Sequence, residues 1–218
     1  MRGLSALCLL AFSGCFVTYT PPVRGVLPGM PDRLAKDQLE VAGEVGGIIS
    51  APTTGGPRVS YALSDTLTLE AGGNLDFVVG LWATTYIGAR INRRWQLSED
   101  VRFSADFEFG GGAGMGGRDG AGTDWKSLAV GGVYDGIGVG LRWRWLGAFI
   151  RARVDGAASN RAPMTLWALA AGGLEAKILD RVVVSASAGS VTMAAMGARA
   201  VTFFLYQFGI SILLGEML

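Results

Sequence analysis

Asp106 and Glu108 stand two residues apart, with Arg102 four residues before Asp106. Further on, Arg142 and Arg144, then Arg151 and Arg153, repeat the same spacing. Paired carboxylates can do acid–base chemistry. Arginine forks can instead take carboxylates through two parallel hydrogen bonds. The second chemistry is favoured, because the arginines are there to pair with the carboxylates, and the chain has no histidine. That removes imidazole bases and imidazole metal ligands. Both cysteines, Cys8 and Cys15, fall in the first 15 residues, so no disulfide or thiolate metal site is expected in the body. The GxG run Gly136–Gly138–Gly140 lies inside an alternating segment and makes room for large neighbours; it is not a phosphate loop. No catalytic residue, cofactor-binding residue or metal site is expected, and an enzyme is not the favoured reading.

Composition bounds what these charges can serve. The chain has 218 residues and a formal net charge of +1, which gives no electrostatic case for nucleic acid. Half of it is hydrophobic, yet no apolar run reaches the roughly 18–20 residues of a membrane helix. The 34 glycines follow no Gly-X-Y period.

From Gln38 onward apolar and polar residues alternate with period two, as in half-buried strands. Val101, Phe103, Ala105, Phe107 and Phe109 share one face; Arg102, Ser104, Asp106 and Glu108 share the other. Ten such segments are expected, at 38–50, 57–64, 66–77, 80–92, 100–114, 130–145, 147–156, 165–178, 181–191 and 200–214. Short and longer connections alternate between them, as an antiparallel up-and-down barrel requires, with short turns in the periplasm, longer loops outside and both termini inside. The predicted fold is therefore all-β, a closed transmembrane barrel of ten strands, with eight as the alternative. Many segments are too long for ordinary soluble strands, whose mode is about 5–6 residues. The polar face carries balanced charge, which suits a lumen where charges satisfy each other. Its predicted network is Glu70, Arg90, Arg102, Asp106, Glu108, Arg142, Arg144, Arg151, Arg153 and Glu175. A turn centred at Leu146–Gly147 would set Arg142 opposite Arg151, so these arginines need partners elsewhere; Asp106, Glu108 and Glu175 are the first candidates. Aromatic residues near segment ends, among them Trp82, Tyr86, Trp95, Trp125, Tyr134, Trp143, Trp145, Trp167 and Phe204, suggest interfacial girdles.

Residues 1–14 read as a secretion signal, with Arg2 before a short apolar core and small residues after it. Phe12-Ser13-Gly14-Cys15 resembles the bacterial lipobox, departing from it at Phe12, where the pattern prefers Leu. The resemblance implies acyl and diacylglycerol chains on Cys15, and Phe16 after it favours outer-membrane sorting. Residues 15–37, with Pro21, Pro22, Pro28 and Pro31, are read as a lipidated N-terminus and extended tether, and residues 38–218 as the barrel. Near the C-terminus Gln207, Gly209, Ile212 and Leu214 resemble the recognition signal of the barrel-assembly machinery, without its terminal Phe. Over residues 38–214 the body looks like the small bacterial outer-membrane barrels of the OmpA and OmpX type, or a ten-stranded relative. The resemblance implies membrane lipid and the barrel-assembly and lipoprotein-sorting machineries as partners. A structural or interaction component of an envelope assembly, its lumen plugged by the charge network and in contact with another envelope protein, is the expected role. The alternative is a narrow pore for small polar solutes or ions.

Overall fold

The computed structural model describes residues 20, 22, 24–32, 34–48, 51–76, 81–117, 128–160, 164–178, 180–197 and 199–215. Ten strands run in order: β1 Leu39–Ile48, β2 Ala51–Ala62, β3 Leu67–Asp76, β4 Leu81–Gln96, β5 Val101–Gly117, β6 Leu128–Trp143, β7 Leu146–Ser159, β8 Thr165–Ile178, β9 Val182–Ala195 and β10 Val201–Leu214. Each pairs antiparallel with its chain neighbours, and β1 pairs with β10, Leu39 opposite Leu214, to close the barrel. Closure removes every free sheet edge. The strand number is ten rather than eight.

Several boundaries differ from the sequence expectation, by four residues or more at the start of β2 and at the ends of β4 and β9. The second strand begins at Ala51 rather than near Pro57, and pairs with β1 through a register irregularity at Gly46/Gly47, next to Pro52. Irregularities of this kind are where a strand tolerates a residue without an N–H. The fourth strand runs on to Gln96, because Arg94 and Trp95 still find partners in Ser104 and Phe103.

The two faces differ as alternation requires. Ile87 on β4 is 72% exposed and Val133 on β6 is 67% exposed, while Glu108 and Asp155 are fully buried inside. Leu69, Phe107, Phe109, Ile137, Ile150, Leu174, Phe208 and Ile210 all lie on the exterior. So continuous an apolar exterior around a closed barrel is a surface made for hydrocarbon. The molecule is thus a membrane-spanning barrel of the bacterial outer-membrane type, in contact with membrane lipid, and it needs no apolar helix to cross.

The bore is occupied by the chain itself. Residues 24–32 lie in the lumen, with Arg24 and Met30 among the most buried side chains of the protein. This corrects the expected tether: the part of residues 15–37 that the structure describes is interior filling. Pro22, Pro28 and Pro31 have a fixed φ and no N–H to offer a helix or ladder, and the segment bends at Val26 and turns at Pro31–Asp32, surrounded by the barrel wall.

Candidate functional site

Arg24 sits at the centre of the lumen. Its guanidinium pairs with Glu70 and reaches Glu108 at 3.4 Å. It also lies 5.0 Å from the ring centre of Tyr86 and 5.4 Å from that of Tyr134, two rings set edge to face. Glu70 is further held by Arg90 at 3.3 Å and by the Tyr134 hydroxyl, which donates at 3.2 Å. Arg151 joins Asp106 to Glu108, and Arg153 holds Asp155 at 3.0 Å. Buried charges are retained only when paired and hydrogen-bonded; here Glu70 is shared by Arg24 and Arg90 and Glu108 by Arg24 and Arg151, while Asp106 and Asp155 take one arginine each.

Two smaller groups flank it. Arg58 donates to Glu40 at 3.1 Å, to Glu44 at 2.8 Å and to the Ser60 hydroxyl at 2.6 Å. Nearer the short turns, Arg142 bonds Glu175 at 2.7 Å and Asp32 at 3.3 Å, with Arg102 3.7 Å from Asp32. Arg24 and Asp32 thus add one charge of each sign to the wall's own network.

The wall also grips the inserted backbone. Arg153 donates to the carbonyls of Arg24 and, at 2.9 Å, Val26; Arg151 donates to Gly29 O at 2.7 Å; Arg94 donates to Leu34 O. The amides of Leu27 and Met30 donate to Gln207 Oε1 at 3.3 Å and Glu175 Oε2 at 3.1 Å. A buried non-helical segment must find partners for its peptide groups, and here wall side chains supply them. On the other side Leu27 joins an apolar cluster of Trp167, Leu169, Ala171, Val191, Met193 and Leu205. Glycines give the space: a Cβ on Gly140 would lie 2.8 Å from the Met30 sulfur, and one on Gly147 would lie 3.1 Å from it.

Most of the predicted network is found in the bore. Glu70, Arg90, Asp106, Glu108, Arg151, Arg153 and Glu175 are buried there, Arg142 is partly buried, and Arg102 lies at the mouth. Arg144 is the exception. It occupies the two-residue turn between β6 and β7 with φ of 52°, exposed and paired with Asp100 at 3.0 Å. Hydrogen bonds from Arg144 hold the Asp100 carboxyl below the usual aspartate range. The hairpin therefore turns at Arg144–Trp145, not at Leu146–Gly147, and Arg142 faces Gly147 while Arg151 faces Gly138. Arginine, rather than Gly147, takes the left-handed position because Asp100 and its carbonyl hold it. The change in register is even, so each side chain keeps its predicted face.

Trp82, Tyr86, Tyr134 and Trp167 are buried in the lumen, not in girdles, while Trp95, Trp143, Trp145 and Phe204 are exposed. The parity was readable: Trp82 and Tyr86 share a strand face with Arg90. Sequence reasoning missed Arg24, Asp32 and Arg94; the signal for an inserted segment was the pair of inward glycines Gly140 and Gly147, whose space Met30 fills, whereas the inward glycines of β5 make room for wall side chains such as Trp82, Tyr86 and Tyr134. Gln207 and Gly209 face inward and Ile212 and Leu214 outward, all on the strand that closes the barrel against β1. Cys15 and Trp125 lie outside the described residues. Among those residues no group of His, Cys, Asp and Glu is arranged to hold a metal.

No protein-family model matches the chain, and no curated protein does. Among solved structures the chain is similar to the N-terminal β-barrel domain of Pseudomonas aeruginosa OprF, at 10% identity and TM-score 0.43, covering 83% of this chain and 100% of that one. It is similar to the translocator domain of the autotransporter NalP from Neisseria meningitidis, at 11% identity and TM-score 0.43, covering 85% and 91%. It is also similar to OmpT, an outer membrane protein of Vibrio cholerae, at 10% identity and TM-score 0.31, covering 82% and 97%.

Proposed function

We propose that the protein is an outer-membrane lipoprotein, acylated at Cys15, that serves as a structural and interaction component of a cell-envelope assembly and does not conduct. The barrel-assembly and lipoprotein-sorting machineries would deliver it, the first through Gln207, Gly209, Ile212 and Leu214. One observation carries the non-conducting reading: the bore is crossed by residues 24–32, whose charges are absorbed into the wall's ion pairs. An open constriction needs charged groups facing water; here they face each other.

The short-turn mouth is the natural meeting place for another envelope protein. It holds a cavity of about 420 Å³ lined by Arg94, Arg102, Arg142, Arg144 and Lys177, with Asp32 among them. That excess of cations suits a partner segment carrying carboxylates.

Planar-bilayer recording of the purified protein tests the reading. It predicts no steady conductance. Reproducible channels altered by Arg142→Ala would instead establish a pore. Pull-down of the full chain, compared with an Arg102→Glu, Lys177→Glu variant, tests the mouth; equal recovery of every co-purifying protein would remove it as a docking site.

A further inference from the structure

The lumen segment runs in one direction from end to end. Thr20 is fixed beside the first residues of β8, its amide donating to Thr165 Oγ1 at 3.2 Å and its carbonyl accepting from the Trp167 indole at 2.8 Å. Along β7 the contacts then descend, Arg153 taking the carbonyls of Arg24 and Val26 and Arg151 that of Gly29. Met30 next meets Glu175 near the end of β8. At the far end Asp37 N donates to Ala62 O at 2.8 Å and Lys36 N to Asp65 at 3.4 Å, where β2 turns into β3.

The two ends of the barrel are told apart by their connections. The end reached at Asp37 has connections 63–66, 97–100, 144–145 and 179–181; the end at Thr20 has 49–50, 77–80, 118–127, 160–164 and 196–200, which are longer on average. Short turns face the periplasm in bacterial barrels and longer loops face outward. Ten strands alone return the chain to its starting side, as the pairing of Leu39 with Leu214 shows. Residues 20–37 add an eleventh crossing.

We infer that the chain on the N-terminal side of Thr20 leaves the barrel through its outer mouth and is displayed at the cell surface, opposite the periplasmic C-terminal end of the barrel. A return through the bore has no space, since Thr20, Arg24 and Met30 are all at most 1% exposed. This replaces the expectation that both termini are periplasmic. The crossing itself does not depend on lipidation. If the lipoprotein reading above holds, the consequence is sharper: five residues span at most about 18 Å, so the acyl chains of Cys15 would enter the outer leaflet. The anchor and the barrel would then hold the lumen segment from both ends, as a closed loop.

The test is an eight-residue epitope inserted after Val17 in the full chain, probed by antibody on intact and on permeabilised cells. The expected result is equal staining in both, with the same epitope inserted after Asp65 stained only after permeabilisation. Staining of the Val17 insertion only in permeabilised cells would overturn the inference. Tyr19→Cys, labelled with a membrane-impermeant maleimide and compared with the unaltered chain, reads the same outcome without an insertion. Palmitate incorporation, and its loss in Cys15→Ser, reports on the lipid reading separately. Surface staining without palmitate would keep the eleventh crossing and remove the anchor.

Discussion

The lumen has two unlike walls. From β1 to β7 it is ionic, with Arg58 paired to Glu40 and Glu44, Arg90 to Glu70, Arg151 to Asp106 and Glu108, and Arg153 to Asp155. From β8 to β10 it is largely apolar, with Trp167, Leu169, Val191, Met193 and Leu205. The inserted segment meets both, Arg24 on one side and Leu27 on the other. Apolar contact is non-directional and scales with area, so that wall would accept the segment at several depths. A guanidinium placed between two carboxylates is satisfied at one depth only. The ionic wall therefore sets where the segment stops, and the apolar wall helps keep it there.

Removing Arg24 should break this division most severely. Arg24→Ala leaves buried Glu70 and Glu108 short of a cation, and the loss is expected to be about 3–5 kcal/mol, as for other broken buried pairs. Urea unfolding in lipid vesicles measures it. Glu70→Gln in the same background should recover part of the loss, and simple additivity would show that the two groups do not interact. On the apolar wall Leu169→Ala should cost about 3 kcal/mol through the cavity it leaves, with no change in the depth of the segment. A shift in the exchange rate of the Met30 amide in that variant would argue against the division of labour.

Tyr134→Phe removes only the hydrogen bond to Glu70, and about 1.5 kcal/mol is expected, as for bonds to charged groups. The smallest effect belongs to the exposed Asp100–Arg144 pair. The Asp100 carboxyl is lowered by the folded state, so its stabilisation is present above the unfolded aspartate value and disappears as pH falls through the folded one. Asp100→Asn should therefore differ from the parent slightly at neutral pH and not at all in strong acid. A difference that grows on acidification would contradict the sign.

Much of the barrel was legible in the sequence because its signal is local. A period of two between Val101 and Phe109 needs no knowledge of the rest of the chain to be read. Face assignments survived even where the hairpin register did not, since the β6–β7 error was an even number of residues. Residues 24–32 were illegible for the opposite reason. They have no period, and what places them is the fit of Arg24, Met30 and Asp32 to groups 46 to 145 residues away. Read alone, prolines and mixed residues mean a linker. Read with the glycines opposite Met30, they mean a filled bore.

The amides of Leu27 and Met30 give the most direct test, by hydrogen–deuterium exchange on the full chain in lipid nanodiscs. A segment seated in the lumen, bonded to Gln207 and Glu175, should exchange as slowly as the neighbouring strand amides of β7. Exchange at the rate of an unstructured peptide would mean that the bore is open, and that the ionic wall is a lining without an occupant.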